Sequence, residues 1–271
     1  MSSSIISFAN ESPHIIKGSQ AFIQKLKTVP DPIVQVASLH PDPNAQIAWV
    51  ILGCVLNQYL GLLELKKLLF ALNHEFPGDR LWYTPVPKSI EIRTTITKAI
   101  GAAWPNLDYA PGIFWSVGDF VRKNFPLTEW ILKPQNELIH SLIQIYYMGK
   151  KAPHPKVLAC FQRFQAKAPL GLGVHRVFLS KKDDLALPMG ARRFMGFMGP
   201  TSTIPFSKWS TEKKIKETNA LFRYLSPDCP EMSAHALSFF LEKGHKKFFC
   251  QELQGSCKAC PLYRDCPYAE V

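Results

Sequence analysis

Apolar residues along the chain recur mostly at helical spacing, and no alternating apolar–polar pattern persists over several residues. The longest apolar run, residues 47–56, predicts a buried helix. The wider run over residues 45–72 is interrupted by Asn57 and Gln58, which predicts two helices or one helix with a functional edge. The pattern as a whole predicts a mainly α fold.

Turn and cap residues place the other predicted helices. Ser12 precedes Pro13, a favourable first helical residue, while Thr128 and either Ser210 or Thr211 are suited to cap the helices that follow them. Prolines and glycines separate these segments. The further helices are predicted at residues 12–27, 88–101, 112–124, 128–147, 154–167, 174–182, 210–225 and 231–243.

Composition narrows the class of protein. A chain of 271 residues with 46% apolar and 20% charged residues is typical of a globular protein and excludes a disordered one. No apolar run approaches the roughly 18–20 residues that span a bilayer, so we expect no membrane partner. The first residues have no basic region before an apolar stretch, which predicts an intracellular protein.

Positive charge is concentrated in one half of the chain. Residues 1–144 hold 12 Lys and Arg against 11 Asp and Glu, a net charge of +1. Residues 145–271 hold 20 against 10, a net charge of +10. This asymmetry favours a polyanionic partner, most often nucleic acid, although a basic surface without a ligand is the alternative.

The seven cysteines are unevenly placed. Cys54, Cys160 and Cys229 are scattered, and the first two lie in apolar helical stretches typical of buried thiols. The other four fall within residues 250–266. Because an intracellular chain seldom carries a disulfide framework, four such close thiols predict a metal centre. Those four are Cys250, Cys257, Cys260 and Cys266.

The spacing of these four cysteines favours an iron–sulfur cluster. The intervals are six, two and five residues, so only one pair is closely spaced. Four thiolates suit either tetrahedral Zn²⁺ or a [4Fe–4S] cluster. Zinc sites usually combine two short pairs, whereas one segment can wrap the larger cluster. A [4Fe–4S] cluster is therefore predicted, with zinc as the alternative.

This spacing at a C-terminus resembles the iron–sulfur loop of the endonuclease III family of DNA glycosylases, including the adenine glycosylase branch. The resemblance covers about residues 44–271 and is strongest over 231–271, whereas residues 1–43 and 73–110 have no counterpart. It implies a helical two-domain fold with a helix–hairpin–helix. A central domain at residues 44–185 would end in the hairpin. A terminal domain of residues 1–43 plus 186–271 would carry the cluster loop at residues 250–266.

A second motif resembles the family's hairpin loop, which has the form L-P-G-V-G. Residues 169–173 read P-L-G-L-G, with both glycines in place and the proline and leucine transposed. The resemblance implies that Gly171 and Gly173 turn the chain so that amides of the next helix face a DNA phosphate. Residues 187–193 are a second hairpin candidate, which we instead assign to the family segment that carries the catalytic aspartate.

Other DNA contacts follow from the same resemblance. Gln58 matches a glutamine that fills the gap left by an extruded base, and a solvent-facing side chain is the alternative. The remaining DNA-binding candidates are cations, for which a solvated charged surface is the alternative. Those cations are Arg176, Arg193, Lys258 and Arg264. Five aromatic residues could line a pocket and stack on a base, although aromatic residues in helices more often belong to the core. These are Trp49, Phe114, Trp115, Tyr146 and Tyr147.

The catalytic positions depart from the family. Bifunctional members use a hairpin lysine as a Schiff-base nucleophile, and His175 stands at that position. The family aspartate falls at Pro188, and residues 185–211 contain no carboxylate. Asp184 is the nearest candidate acid. The alternative is that it belongs to a charged helix end on the surface. Lys150 and Lys151 are further candidates for the nucleophile, and the alternative is that they are a pair of surface lysines.

Two main hypotheses result. The first is a base-excision-repair protein that binds double-stranded DNA as a monomer and acts as a monofunctional DNA glycosylase without lyase activity, in a DNA-containing compartment. The second is a catalytically inactive iron–sulfur DNA-binding protein that retains the fold. A cluster-based sensor or RNA-binding protein is a third class.

Overall fold

The computed structural model describes residues 3–57, 60–77, 82, 87–151, 154–174, 179, 184–200, 204–240, 242–243, 248–249 and 260–266. The predicted mainly α fold is confirmed over these residues. The helices are α1 Ser3–Glu11, α2 Pro13–Leu26, α3 Pro32–Ala37, α4 Pro43–Leu56, α5 Leu62–Glu75, α6 Ser89–Ile100, α7 Ala110–Asn124, α8 Leu127–Trp130, α9 Gln135–Leu142, α10 Pro155–Gln165, α11 Met189–Phe197, α12 Thr211–Leu225 and α13 Pro230–Ser238.

The chain divides into two compact units. The terminal unit comprises Met1–Val29 together with Ser180–Val271, and the central unit comprises Pro30–Leu179. The borders predicted from the sequence lie at residues 43/44 and 185/186. Each unit has its own buried apolar residues.

Helix α4 forms the centre of the central unit. It carries the predicted apolar run and is buried almost throughout, and it packs against α3, α7, α8 and α10. Asp42 caps the helix by accepting a hydrogen bond from the Asn44 amide at 3.0 Å. The helix ends at Leu56, so the interruption at Asn57 separates two helices, α4 and α5.

Several predicted helix borders differ from the structure. The helix predicted at residues 128–147 is two helices, because Pro134 precedes α9 and cannot continue a helix from α8. Thr128 lies within α8 and does not cap it. Ser210 does cap α12, since its hydroxyl accepts a hydrogen bond from the Lys213 amide at 3.2 Å. Helices α1, α3 and α11 were not predicted.

The terminal unit packs five helices closely. Helix α13 contacts α2, α11 and α12, and α1 contacts α2 and α12. Gly190 permits the approach of α11 to α13, because a Cβ there would lie 2.2 Å from the Leu237 carbonyl oxygen. The helix predicted at residues 231–243 ends at Ser238, and Glu242–Lys243 pairs with Phe248–Phe249 as a short antiparallel ribbon, β1 and β2.

Membrane-spanning helices are absent from the part of the chain that the structure describes. No helix there combines the length and the apolar character that crossing a bilayer requires.

Candidate functional site

The described part of the cysteine loop is a compact double turn. It spans residues 260–266, and the Tyr263 amide donates to the Cys260 carbonyl at 3.0 Å. The Asp265 amide donates to the Leu262 carbonyl at 3.1 Å. Cys260 and Cys266 are partly exposed at the two ends of this turn. The other predicted ligands, Cys250 and Cys257, and the predicted contact Lys258 lie outside the described residues.

Helix α2 anchors this turn within the terminal unit. Leu262 is fully buried, and a Cβ at Gly18 of α2 would lie 2.9 Å from both the Leu262 side chain and the Pro261 carbonyl oxygen. His14 of α2 also places its Nε2 3.2 Å from Asp265 Oδ1. The turn is therefore fixed by packing, and the exposed Arg264 projects from it.

The donor set suits a thiolate-bound centre. Cys260 and Cys266 supply two soft sulfur donors on an anchored turn, which fits a zinc or iron–sulfur site better than one for a hard cation. Among the residues that the structure describes, no group of three or more potential ligands is assembled. Two of the four predicted ligands fall outside that part of the chain.

The predicted hairpin is a tight turn after α10. A Cβ at Gly171 would lie 2.2 Å from the Ala166 carbonyl oxygen and 2.5 Å from that of Arg163. Gly173 has a φ of 66°, in the left-handed region that favours glycine. Both glycines are therefore required by the local backbone.

The amides of this turn are used within the chain. Those of Leu172, Gly173 and Val174 each donate at 2.8 Å to a carbonyl of residues 163–166. Gly171 donates to the Lys167 carbonyl at 3.2 Å. Because these amides already have acceptors within the chain, a phosphate bound by the hairpin would have to accept hydrogen bonds from amides beyond Val174. His175 and Arg176, which follow, lie outside the described residues.

A buried ion pair ties the hairpin to the start of the central unit. Arg163 forms a bidentate pair with Asp31, with Nε–Oδ1 at 3.1 Å and Nη2–Oδ2 at 2.7 Å. The Asp31 amide donates to the Pro169 carbonyl at 3.2 Å. Burial alone lowers the pKa of Arg163, but the Asp31 carboxylate reverses this and raises that pKa above its usual value.

Asp31 also caps α3, and sequence reasoning missed both of its roles. Its Oδ1 accepts hydrogen bonds from the Ile33 and Val34 amides at 2.9 and 3.3 Å. An aspartate followed by Pro32 is a recognisable start of a helix, so the cap had a sequence signal. The pairing with Arg163 had none, because the two residues are 132 positions apart.

Two buried thiols and a lysine adjoin Arg163. Burial raises the pKa of the Cys54 thiol, but a hydrogen bond from Cys160 and the charge of Arg163 bring that pKa below its usual value. Burial and the same hydrogen bond hold the pKa of Cys160 well above its usual value. Burial lowers the pKa of Lys156 to about 8. The predicted burial of both cysteines is confirmed.

The segment assigned to the catalytic aspartate is held on α12. Asn219 clamps Leu185, whose amide donates to Asn219 Oδ1 at 2.7 Å. Asp184 is 47% exposed, and its Oδ1 lies 3.5 Å from Nη2 of Arg223. Asp184 therefore forms a surface ion pair, whereas Arg193 lies partly exposed on α11.

Pro188 occupies the N-cap position of α11. Its φ of −65° and ψ of 154° are ordinary for a cap, but its side chain makes no capping hydrogen bond. The resemblance places the family aspartate at this position. A carboxylate there would accept hydrogen bonds from the first amides of α11.

The aromatic candidates separate into core and surface. Trp49 and Phe114 are 1% and 2% exposed and belong to the core of the central unit. Trp115 and Tyr146 are 46% and 44% exposed. Gln58, the other predicted base contact, lies outside the described residues.

A cleft of about 540 Å³ opens on the central unit. None of the residues that the resemblance implicates lines it. Its lining residues are Asn124, Trp130, Lys133, Asn136, Glu137, His140 and Ser141.

Comparisons with known proteins add no relative. No family model, no curated protein and no solved structure matches the chain. What is proposed for this chain therefore rests on its own residues and geometry.

Proposed function

We propose that the chain is a DNA-binding base-excision-repair protein of the endonuclease III type, with a [4Fe–4S] cluster bound by its four C-terminal cysteines. The observation that carries the proposal is their spacing, supported by the anchoring of Cys260 and Cys266 on α2 through Leu262 and Gly18. When bound, the cluster cross-links residues 250–266 into one rigid loop. The ligands would be Cys250, Cys257, Cys260 and Cys266.

The proposal of double-stranded DNA as the partner rests on charge. The net charge of +10 over residues 145–271 favours a phosphate-rich ligand. Arg264 projects exposed from the anchored turn, and Arg193 is partly exposed on α11. In this proposal Arg264 and Arg193 would contact phosphates, as Lys258 and Arg176 would, and the protein would bind as a monomer.

The proposal has two forms, which differ in whether the protein is catalytically active. In one form the protein is a monofunctional glycosylase whose acid is Asp184, because His175 cannot form a Schiff base. In the other it is a catalytically inactive DNA-binding protein. Pro188 at the cap of α11 and the surface pairing of Asp184 with Arg223 favour the second form.

Metal analysis tests the cluster. Protein purified without oxygen should be brown and contain about four irons and four sulfides per chain, as a [4Fe–4S] cluster requires. Cys260→Ser should lose most of the iron, whereas Cys229→Ser, outside the loop, should retain it. Stoichiometric zinc in place of iron would contradict the assignment.

Strand cleavage tests the chemistry. Labelled duplexes carry uracil, thymine glycol, 8-oxoguanine mispairs, alkylated bases or an abasic site, each assayed with and without alkali. Breaks only after alkali would support the monofunctional glycosylase, and Asp184→Asn should then abolish them. Salt-sensitive duplex binding without cleavage would support the inactive form. Salt-insensitive binding would count against a phosphate-reading surface and favour the sensor class.

A further inference from the structure

Three tyrosines of the central unit form an exposed aromatic surface, which we call the tyrosine cluster. The ring of Tyr147 lies 4.7 Å from that of Tyr146 and 5.2 Å from that of Tyr109, measured between centroids. Tyr146 is 44% exposed and Tyr109 is 47% exposed. Tyr147 is half-buried between them, and its ring plane makes an angle of 74° with that of Tyr146 and 34° with that of Tyr109. The two exposed rings therefore belong to one contiguous aromatic patch whose ring faces point in different directions.

The backbone that carries the cluster is held in an unusual conformation. Tyr147, Gly149 and His154 all have positive φ, at 67°, 98° and 52°. A non-glycine residue in this region costs roughly 1–3 kcal/mol and persists only where its surroundings enforce it. Lys156 supplies one constraint, since its Nζ donates to the Tyr147 carbonyl and to that of Val55 at 3.4 Å.

Helix α7 fixes the other side of the cluster. The Tyr146 amide donates to Ser116 Oγ at 2.8 Å. A Cβ at Gly112 would lie 3.3 Å from the Tyr146 ring, so this glycine lets the ring lie close against the helix. The rings are therefore positioned before any ligand binds, which reduces the entropy lost on binding.

The charged residues that follow the cluster in the sequence favour an anionic ligand. Residues 138–182 contain eight Lys and Arg and no Asp or Glu. Lys150 and Lys151 follow Tyr147 after two intervening residues and are exposed. Asp108, beside Tyr109, is paired with Arg93 at 3.5 Å. Exposed aromatic rings flanked by cations are the combination that binds single-stranded nucleic acid.

We propose that the tyrosine cluster stacks unpaired bases of single-stranded DNA while Lys150 and Lys151 contact the flanking phosphates. The inference rests on the proposed function in taking DNA as the ligand, and it adds a site for unpaired bases that the hairpin and the cysteine loop do not supply. The hydroxyl groups need not take part, because stacking uses the face of each ring.

Binding of a fluorescein-labelled dT12 strand tests the stacking. Tyr146→Ala should weaken binding about tenfold, in line with measured base–aromatic stacking, and Tyr109→Ala should do the same. Tyr146→Phe keeps the ring and should stay within about twofold of wild type. Leu132→Ala removes an apolar side chain that is 66% exposed in the same unit and should change nothing. Unchanged affinity in both tyrosine→alanine variants, with native melting curves, would overturn the proposal.

Salt dependence tests the phosphate contacts. The double variant Lys150→Ala, Lys151→Ala should lower the slope of log affinity against log salt by about 1.4, because each single-strand phosphate contact contributes about 0.7. A slope equal to that of wild type would overturn this half of the proposal.

Duplex binding, measured in parallel, separates this site from the proposed function. Tyrosine→alanine variants that bind a fully paired duplex as wild type does, yet lose dT12, support the cluster as a separate site. Salt-sensitive duplex binding with no dT12 binding by wild type would overturn the cluster and leave the proposed function intact. If wild type binds dT12 through the cluster but does not bind the duplex, the proposed function fails and the cluster stands.

Discussion

Two aspartate–arginine pairs, one in each unit, differ in burial. Asp31 and Arg163 in the central unit have side chains that are 8% and 15% exposed, and they meet in a bidentate geometry. Asp184 and Arg223 in the terminal unit are 47% and 30% exposed, with one contact at 3.5 Å. The same two residue types therefore serve different purposes.

The buried pair is a structural joint. Asp31 caps α3 and donates its amide to the hairpin, while Arg163 also donates to the Ala159 carbonyl at 3.1 Å. Removal of either partner leaves the buried charge of the other without its counter-ion. The surface pair loses little when broken, because water replaces the partner. The acid nearest to the expected catalytic position is thus the less constrained of the two.

The largest expected effect separates the two pairs directly. Asp31→Ala should lower the free energy of unfolding by about 3–5 kcal/mol, because it leaves buried Arg163 unpaired and removes a cap. Asp184→Ala is the matched control and should lower that free energy by at most about 1 kcal/mol. Urea unfolding of both variants measures the difference. Similar losses in the two variants would remove the distinction between the pairs.

The hairpin beside the buried pair should be the next most sensitive feature. Gly171→Ala places a Cβ against two carbonyl oxygens, so we expect a loss of about 1–3 kcal/mol or failure to fold. Gly173→Ala has open space around the new Cβ and meets only the strain of positive φ, about 1–2 kcal/mol. Thermal melting ranks the two variants. A larger loss for Gly173→Ala would contradict the geometry of the turn.

Introducing an acid at residue 188 of the terminal unit tests the position that the resemblance assigns to the catalytic aspartate. Pro188→Asp should stabilise α11 by about 0.5–1 kcal/mol, because the carboxylate accepts hydrogen bonds from the first turn. Pro188→Asn should stabilise α11 by a similar amount, since both side chains cap well. Urea unfolding checks both expectations.

Activity then distinguishes the two variants. If the family position is correctly assigned, only Pro188→Asp should gain alkali-dependent cleavage of a damaged duplex, because the amide of asparagine carries no charge to stabilise the sugar cation. Equal activity in the two variants would argue against a catalytic carboxylate at residue 188.

The sequence predicted some of these features better than others, for physical reasons. The apolar run of α4 is a local property, so the hydrophobic pattern was sufficient to predict it. The need for Gly171 and Gly173 followed from the resemblance of residues 169–173 to a hairpin loop. The buried joint between Asp31 and Arg163 joins distant residues, and periodicity carries no information about it. The structure has two helices within residues 128–147, where the apolar periodicity predicted one. Pro134 was a local signal for this break, but the prediction gave more weight to the periodicity. The exposure of Tyr146 against the burial of Phe114 depends on tertiary packing alone.

The last comparison concerns Lys156, which lies on the same helix as Arg163. Its Nζ donates to backbone carbonyls, whereas Arg163 meets a carboxylate. Burial lowers the pKa of Lys156 to about 8 from 10.5. Between these two pH values the unfolded chain holds the lysine proton and the folded chain releases it, so this residue makes stability rise with pH.

Lys156→Arg should remove that rise, because an arginine stays charged throughout. Wild type should therefore gain stability relative to Lys156→Arg as the pH increases from 7.5 to 10, measured by urea unfolding with reductant present. Lys151→Arg, at an exposed position, should follow wild type at every pH. A difference between wild type and Lys156→Arg that stays constant with pH would mean that the buried amine remains charged.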